Sequence, residues 1–155
     1  MAKAAFGAGC FWHVQLEFSE TKGVTNAVAG YMGGNLRNPS YWDVATGKTG
    51  HAETVMMTYN PKVVSYEKLV EMFFTMHNPT QANRQGPDVG SEYRSVIFYY
   101  AEEQKKIANK VKMRVQRKYG DKMVTTQIVM ASTFTKAEEY HQDYLKKHGR
   151  RVCKF

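Results

Sequence analysis

The chain has 155 residues, of which 43% are apolar, enough for one domain with its own core and too few to expect two. It carries 22 basic and 14 acidic residues for a formal net charge of +8, and only two cysteines, Cys10 and Cys153. No apolar run approaches the ~20 residues of a membrane span and the start, "MAKAAFGAGCFW", lacks a signal-peptide pattern, so we expect a cytoplasmic protein with no membrane partner. Two cysteines in a reducing setting begin as thiols, and a disulfide between them is expected to be transient rather than structural. The positive excess lies in "QKKIANKVKMRVQRKYGDK" and "KKHGRRVCKF" and reads as a solvated helix face and tail, with no nucleic acid partner.

In chain order, "KAAFGA" reads as a strand of small residues. "FWHVQLEFSETKG" reads as a helix with Phe11, Val14 and Phe18 on one face and Gly23 as its stop. "VTNAVAGY" is a second strand, and "ETVMMTY" a third, with Val55, Met57 and Tyr59 alternating inward. Ser65 caps the helix "SYEKLVEMFFTMH", and "SEYRSVIFYY" follows as a fourth strand. This β-α-β-β-α-β order predicts an α+β two-layer sandwich with a ferredoxin-like core. A long helix carrying Ile107, Val111 and Val115, a strand "MVTTQIVMA" and a last helix "KAEEYHQDYLKKH" extend it. A single catalytic domain over 1–155 is expected, with 143–155 as a mobile tail carrying Cys153.

Two connections are long for a compact domain, roughly 20 residues from Met32 to Ala52 and roughly 15 from His77 to Ser91. Followed through the assumed topology, both lie at the same end of the sheet as the strand-to-helix turn that holds Cys10. They bring Tyr41, Trp42, His51, Glu53, Asp88, Glu92, Tyr93 and Arg94 toward that cysteine. A thiol at a helix start is favoured as thiolate by the N–H groups and the dipole. Phe11 and Trp12 wall an apolar pocket beside it, and Glu53 is the candidate proton donor, because a carboxyl among aromatics holds its proton more tightly.

The motifs "GCFW", "AGYMGG", "NPSYWDV" ahead of "TGHAE", "MHNPTQANRQGPDVGSEYRS" and "YHQDYL" occur in this order from about Gly7 to Cys153. Together they resemble the peptide methionine sulfoxide reductases of the A type. That resemblance implies that Cys10 is the nucleophile attacking the sulfur of methionine S-sulfoxide, free or in oxidised proteins, and that Glu53 protonates the sulfoxide oxygen. It implies that Tyr41 and Tyr93 place hydroxyls beside that oxygen, that Phe11 and Trp12 cage the S-methyl group, and that Asp88 orders water in the pocket. It further implies that Cys153 is the resolving cysteine, that thioredoxin or another dithiol is the external reductant, and that no metal or other cofactor is needed. Nothing in the chain requires more than a monomer.

The sequence departs from the family at "GCFWHVQ", where "GCFWGVE" is common: His13 stands for Gly and Gln15 for Glu. Loss of a carboxylate near the helix start and gain of an imidazole predict a lower Cys10 pKa, unless His13 instead crowds the pocket. Two rival readings are a cysteine hydrolase with His51 as its base, and a basic RNA-binding module built on a βαββ-type sheet. Against the second, "SVIFYY" lacks the pattern of RNA-binding strands.

Overall fold

The computed structural model describes residues 1–148. In chain order these form β1 (Ala2–Ala8), α1 (Phe11–Ser19), β2 (Val24–Met32), α2 (Tyr41–Ala45), β3 (Ala52–Tyr59) and α3 (Tyr66–Thr75). A two-rung hairpin of β4 (Arg84–Gln85) and β5 (Asp88–Val89) follows, then β6 (Ser95–Tyr99), α4 (Glu102–Tyr119), β7 (Gln127–Met130), β8 (Thr135–Lys136) and α5 (Tyr144–His148). The main sheet has six strands in the order β7-β6-β1-β3-β2-β8. All neighbours are antiparallel except β6 and β7. This is a mixed α+β architecture.

Small residues suit β1 to the centre of the sheet, where it pairs with β3 on one side and β6 on the other. On one face, Phe6 of β1 stacks against Phe18 of α1 and Phe73 of α3, with ring centroids 5.3 Å apart in both pairs. Val55, Met57 and Tyr59 are buried, in keeping with the alternation of β3. Buried α4 residues Ala108 and Val111 complete this layer. Across the sheet, Ala5, Met32, Ala52, Val96 and Phe98 form a smaller cluster closed by Met56, Ala131 and Phe134. Gly30 is required there: a Cβ on it would lie 2.3 Å from the Phe134 ring and 2.4 Å from the Thr135 carbonyl oxygen.

Three expectations need correction. Residues 91–94 are not strand: Ser91–Tyr93 form a 3₁₀ turn closed by Tyr93 N–H to the Gly90 carbonyl, and β6 begins at Ser95. The last helix is broken into a 3₁₀ turn at Glu139–His141 and the short α5. Asp143 at φ +53 cannot continue a right-handed helix, and the Gln142 side chain is engaged with the backbone of β2 instead. The tail expected from 143 therefore starts with packed structure, since Tyr144–His148 are helical and Leu145 is buried. Cys153 lies outside the described residues.

Candidate active site

The turn between β1 and α1 sets the geometry. Gly9 adopts φ +90, which admits no side chain at low cost, and a Cβ there would also meet the Gln85 side chain at 2.9 Å. Gln85 is held in turn by bonds to the backbone of Asn78, so the β4–β5 hairpin lies close over the turn. Cys10 then stands at the N-cap of α1, half-buried and without a side-chain cap. The first helical N–H, from Phe11, needs a partner that the helix cannot supply. The Glu53 carboxylate accepts it, with Oε1 at 3.2 Å from Phe11 N. Glu53 enters from β3, opposite Tyr31 in the β2–β3 register, and is only 3% exposed.

Two tyrosine hydroxyls flank this carboxylate. Burial, reinforced by the charge of Glu53, raises the pKa of both Tyr41 and Tyr93. They therefore remain protonated donors. Tyr41 is set by α2, whose start is a capping box: the Ser40 hydroxyl accepts the Asp43 N–H, and the Asp43 carboxylate accepts the Ser40 N–H. Asp88, on β5, has a raised pKa because burial penalises its charge, with His13 opposing the rise. His13 is buried rather than superficial, and it faces Asp88 and His77 electrostatically.

The apolar wall contains residues that were not anticipated. Phe11 is buried beside Tyr31, centroids 5.8 Å apart, and Trp12 is half-buried. Trp12 Nε1–H donates to His141 Nδ1 at 3.0 Å, and its ring stacks on Tyr144 at 3.8 Å. Glu138 accepts from the Tyr31 hydroxyl and from Tyr41 N–H, both at 2.9 Å. Burial alone would raise the pKa of Glu138, but these bonds outweigh it and lower it. The departure at Gln15 finds its partners in the same segment and on β2. Its amide donates to the Ala27 carbonyl and to Gln142 Oε1, and its oxygen accepts Asp143 N–H. "YHQDYL" was the available signal for this wall.

Other candidates serve the frame. Both ring nitrogens of His51 are engaged by backbone, Nδ1 accepting Gly34 N–H and Nε2 meeting the Leu36 carbonyl, so it holds the long loop and has no lone pair for a hydrolytic step. Arg94 reaches the carbonyls of Ser91 and Gly50 and the Gln127 amide oxygen, tying three segments together, and burial lowers its pKa. Trp42 is 73% exposed, and Glu92 is buried behind the loop. A groove of about 800 Å³ between α3 and α4 lies apart from Cys10, and two of its lining residues, Glu71 and Arg114, are paired with each other. Among the described residues no cluster of three or more His, Cys, Asp or Glu side chains is arranged to hold a metal ion. No helix among them is long and apolar enough to cross a membrane.

The peptide methionine sulfoxide reductase MsrA of Methanothermobacter thermautotrophicus is 52% identical over 153 residues, covering 97% of this chain and 90% of that relative. The crystal structure of Mxr1 from Saccharomyces cerevisiae in reduced form superposes with a TM-score of 0.92 at 34% identity, covering 98% of this chain and 88% of that one. Mxr1 in complex with Trx2 matches with a TM-score of 0.66 at 26% identity over 92% and 84% of the two chains. A family model described as peptide methionine sulfoxide reductase matches residues 2–155, and the chain belongs to that family.

Proposed function

We propose that this protein reduces methionine S-sulfoxide, free or peptide-bound, to methionine by thiol chemistry at Cys10, and so repairs oxidised proteins. The observation that carries the reading is the Glu53 carboxyl seated on the Phe11 N–H, one residue from the Cys10 thiol. A sulfoxide oxygen leaves only when protonated, so attack at sulfur needs an acid on the oxygen side. With Oε1 anchored by the backbone, Glu53 carries the proton on its other oxygen. Tyr41 and Tyr93 donate hydrogen bonds to the same sulfoxide oxygen, and Asp88 orders water beside them.

In the reaction the Cys10 sulfur bonds to the substrate sulfur while Glu53 protonates the sulfoxide oxygen. The hydroxyl then passes to the Cys10 sulfur as the new S–S bond breaks, the electron pair leaves with methionine, and the proton lost by the Cys10 thiol replaces the one Glu53 gave. No net proton is consumed: thiol plus sulfoxide gives sulfenic acid plus thioether. Cys153 then condenses with the sulfenic acid, forming a disulfide and releasing water. A dithiol returns both cysteines to thiols by exchange. Thioredoxin fits that role here, as Mxr1 has been crystallised with Trx2, and the protein's own chemistry asks for no metal or organic cofactor. Phe11 and Trp12 receive the S-methyl group.

The same reading takes β1, β2, β3 and β6 with α1 and α3 as a ferredoxin-like unit, and places a monomeric enzyme in the reducing cytoplasm. The test is turnover of the separate S and R epimers of a blocked methionine sulfoxide. Reduction of S alone, abolished in Cys10→Ser, is expected. Cys153→Ser should keep dithiothreitol-driven turnover and lose the thioredoxin-driven reaction. Turnover of neither epimer would refute the reading.

A further inference from the structure

We infer, resting on the reductase reading above, that His141 is a positioning residue: by accepting the Trp12 indole N–H at Nδ1, with Tyr144 stacked on the ring, it fixes the indole that selects the S-alkyl group of the substrate. Trp12 lies in the first turn of α1 and is half-buried, so the backbone alone leaves its ring free to rotate. Two contacts remove that freedom. The Nε1–H bond to His141 at 3.0 Å sets the ring's rotation, and the Tyr144 stack, 3.8 Å between centroids and 8° between planes, sets its tilt.

His141 is itself held. It is 3% exposed, with its ring 4.6 Å from Tyr41, 5.3 Å from Phe11 and 4.3 Å from Tyr140. An acceptor at Nδ1 requires the tautomer with the proton on Nε2, and among the described residues Nε2 has no hydrogen-bond partner. The ring is thus oriented by its packing and by the single bond to Trp12. Burial lowers its pKa against the pull of Glu138, which keeps the imidazole neutral and able to accept. The bond spans 129 residues and joins the strap formed by residues 138–148 to the first turn of α1.

Acceptor position separates this role from simple packing. Asn Oδ1 stands where Nδ1 stands, whereas Gln places its oxygen one bond farther out, and Phe offers none. We would measure His141→Asn, His141→Gln and His141→Phe in the full chain, in a Trp42→Phe background that leaves Trp12 as the sole tryptophan. The paired readouts are Trp12 emission and the ratio of kcat/KM for S-methyl against S-ethyl sulfoxides of otherwise identical substrates. The expectation is that Gln and Phe shift the emission to the red and lower the methyl preference by about tenfold, the scale of one methylene in a pocket, mainly through KM. His141→Asn should keep both near wild type. Tyr144→Leu, which leaves His141 in place, should loosen the ring and give an intermediate loss.

Unchanged emission and unchanged methyl preference in His141→Phe would overturn the inference. So would equal losses in all three His141 variants, which would mean packing rather than an acceptor. The emission arm requires no turnover, so failure of the reductase reading and failure of the His141 role remain distinguishable.

Discussion

The site has two walls built by different means. The sheet-side wall, which holds Cys10, Phe11 and Glu53, is set by backbone: β1 is clamped between β3 and β6, α1 begins where β1 ends, and strand register brings Glu53 to the first helical N–H. The strap of residues 138–148 is held almost wholly by side chains. Gln142 imitates a strand partner, taking Ala29 N–H on Oε1 at 3.0 Å and donating from Nε2 to the Ala29 carbonyl at 2.8 Å. Strap groups also fix Trp12 and Tyr41. On the proposed reading, Cys10 and Glu53, the groups assigned the chemistry, sit on the wall set by backbone, and Trp12, assigned to the substrate's methyl group, leans on the wall held by side chains. Changes to the first should be read in kcat, and changes to the second in KM and local stability.

The largest expected effect is on the wall set by backbone. Glu53→Gln keeps an oxygen for the Phe11 N–H but removes the acid, so kcat should fall by about 10²- to 10⁴-fold with little change in Tm. Single-turnover formation of methionine checks it. A loss confined to KM would move Glu53 from proton donor to substrate anchor.

Acid should break the frame before it breaks the strap. His77 is buried, with Nδ1 on the Phe73 carbonyl and Nε2 on the Ser95 hydroxyl, and burial lowers its pKa to about 4. Unfolded histidine protonates near 6.5, so the unfolded state binds the proton first as pH falls. Stability from this group is complete above that value and is lost between pH 6.5 and 4, by about 3 kcal/mol at the lower end. Urea midpoints from pH 7.5 to 4 should show the slope in wild type and a flatter profile in His77→Asn. Equal slopes would place the acid sensitivity elsewhere.

On the strap, Gln142→Ala takes the acceptor from the Ala29 N–H in a buried strand, while the Ala29 carbonyl keeps the Ala137 N–H, and the change should cost about 2 kcal/mol. Hydrogen exchange at Ala29 should accelerate, and KM should rise more than kcat falls. A fall in kcat alone would show that the strap feeds the chemistry rather than the pocket.

What was legible in the sequence follows the same division. The alternation of Val55, Met57 and Tyr59 marked β3, and glycines around Cys10 marked the turn, because these are local backbone signals. Order along the chain then sufficed to bring Tyr41, Glu53 and Tyr93 to one end of the sheet. His141, Gln142 and Tyr144 were lost inside an apparent amphipathic helix: Tyr140, His141, Tyr144 and Leu145 keep helical spacing, and nothing local announces that Gln142 bonds to β2, more than a hundred residues away. Gln15 read as an altered charge near the thiol, whereas its amide is a tie to that strap. Side-chain bonds between distant segments leave no period to detect.

The smallest effect is also the most direct comparison of scaffold with site, because the chain offers the same cap twice. Ser65 accepts Lys68 N–H at the start of α3, and Ser40 accepts Asp43 N–H at the start of α2. Replacing Ser65 with Ala removes an N-cap from a ten-residue helix packed on the core and should cost about 1 kcal/mol of global stability with kcat/KM unchanged. Replacing Ser40 with Ala removes it from a five-residue helix at the surface, whose loosening is local and should barely move Tm. Yet α2 begins with Tyr41, and a small displacement of its hydroxyl should lower kcat/KM by about three- to tenfold. Thermal melts and steady-state kinetics on the two variants decide it. If Ser40→Ala leaves kcat/KM intact, then Glu138 on the Tyr41 N–H suffices to place that tyrosine, and α2 belongs to the strap rather than to the frame.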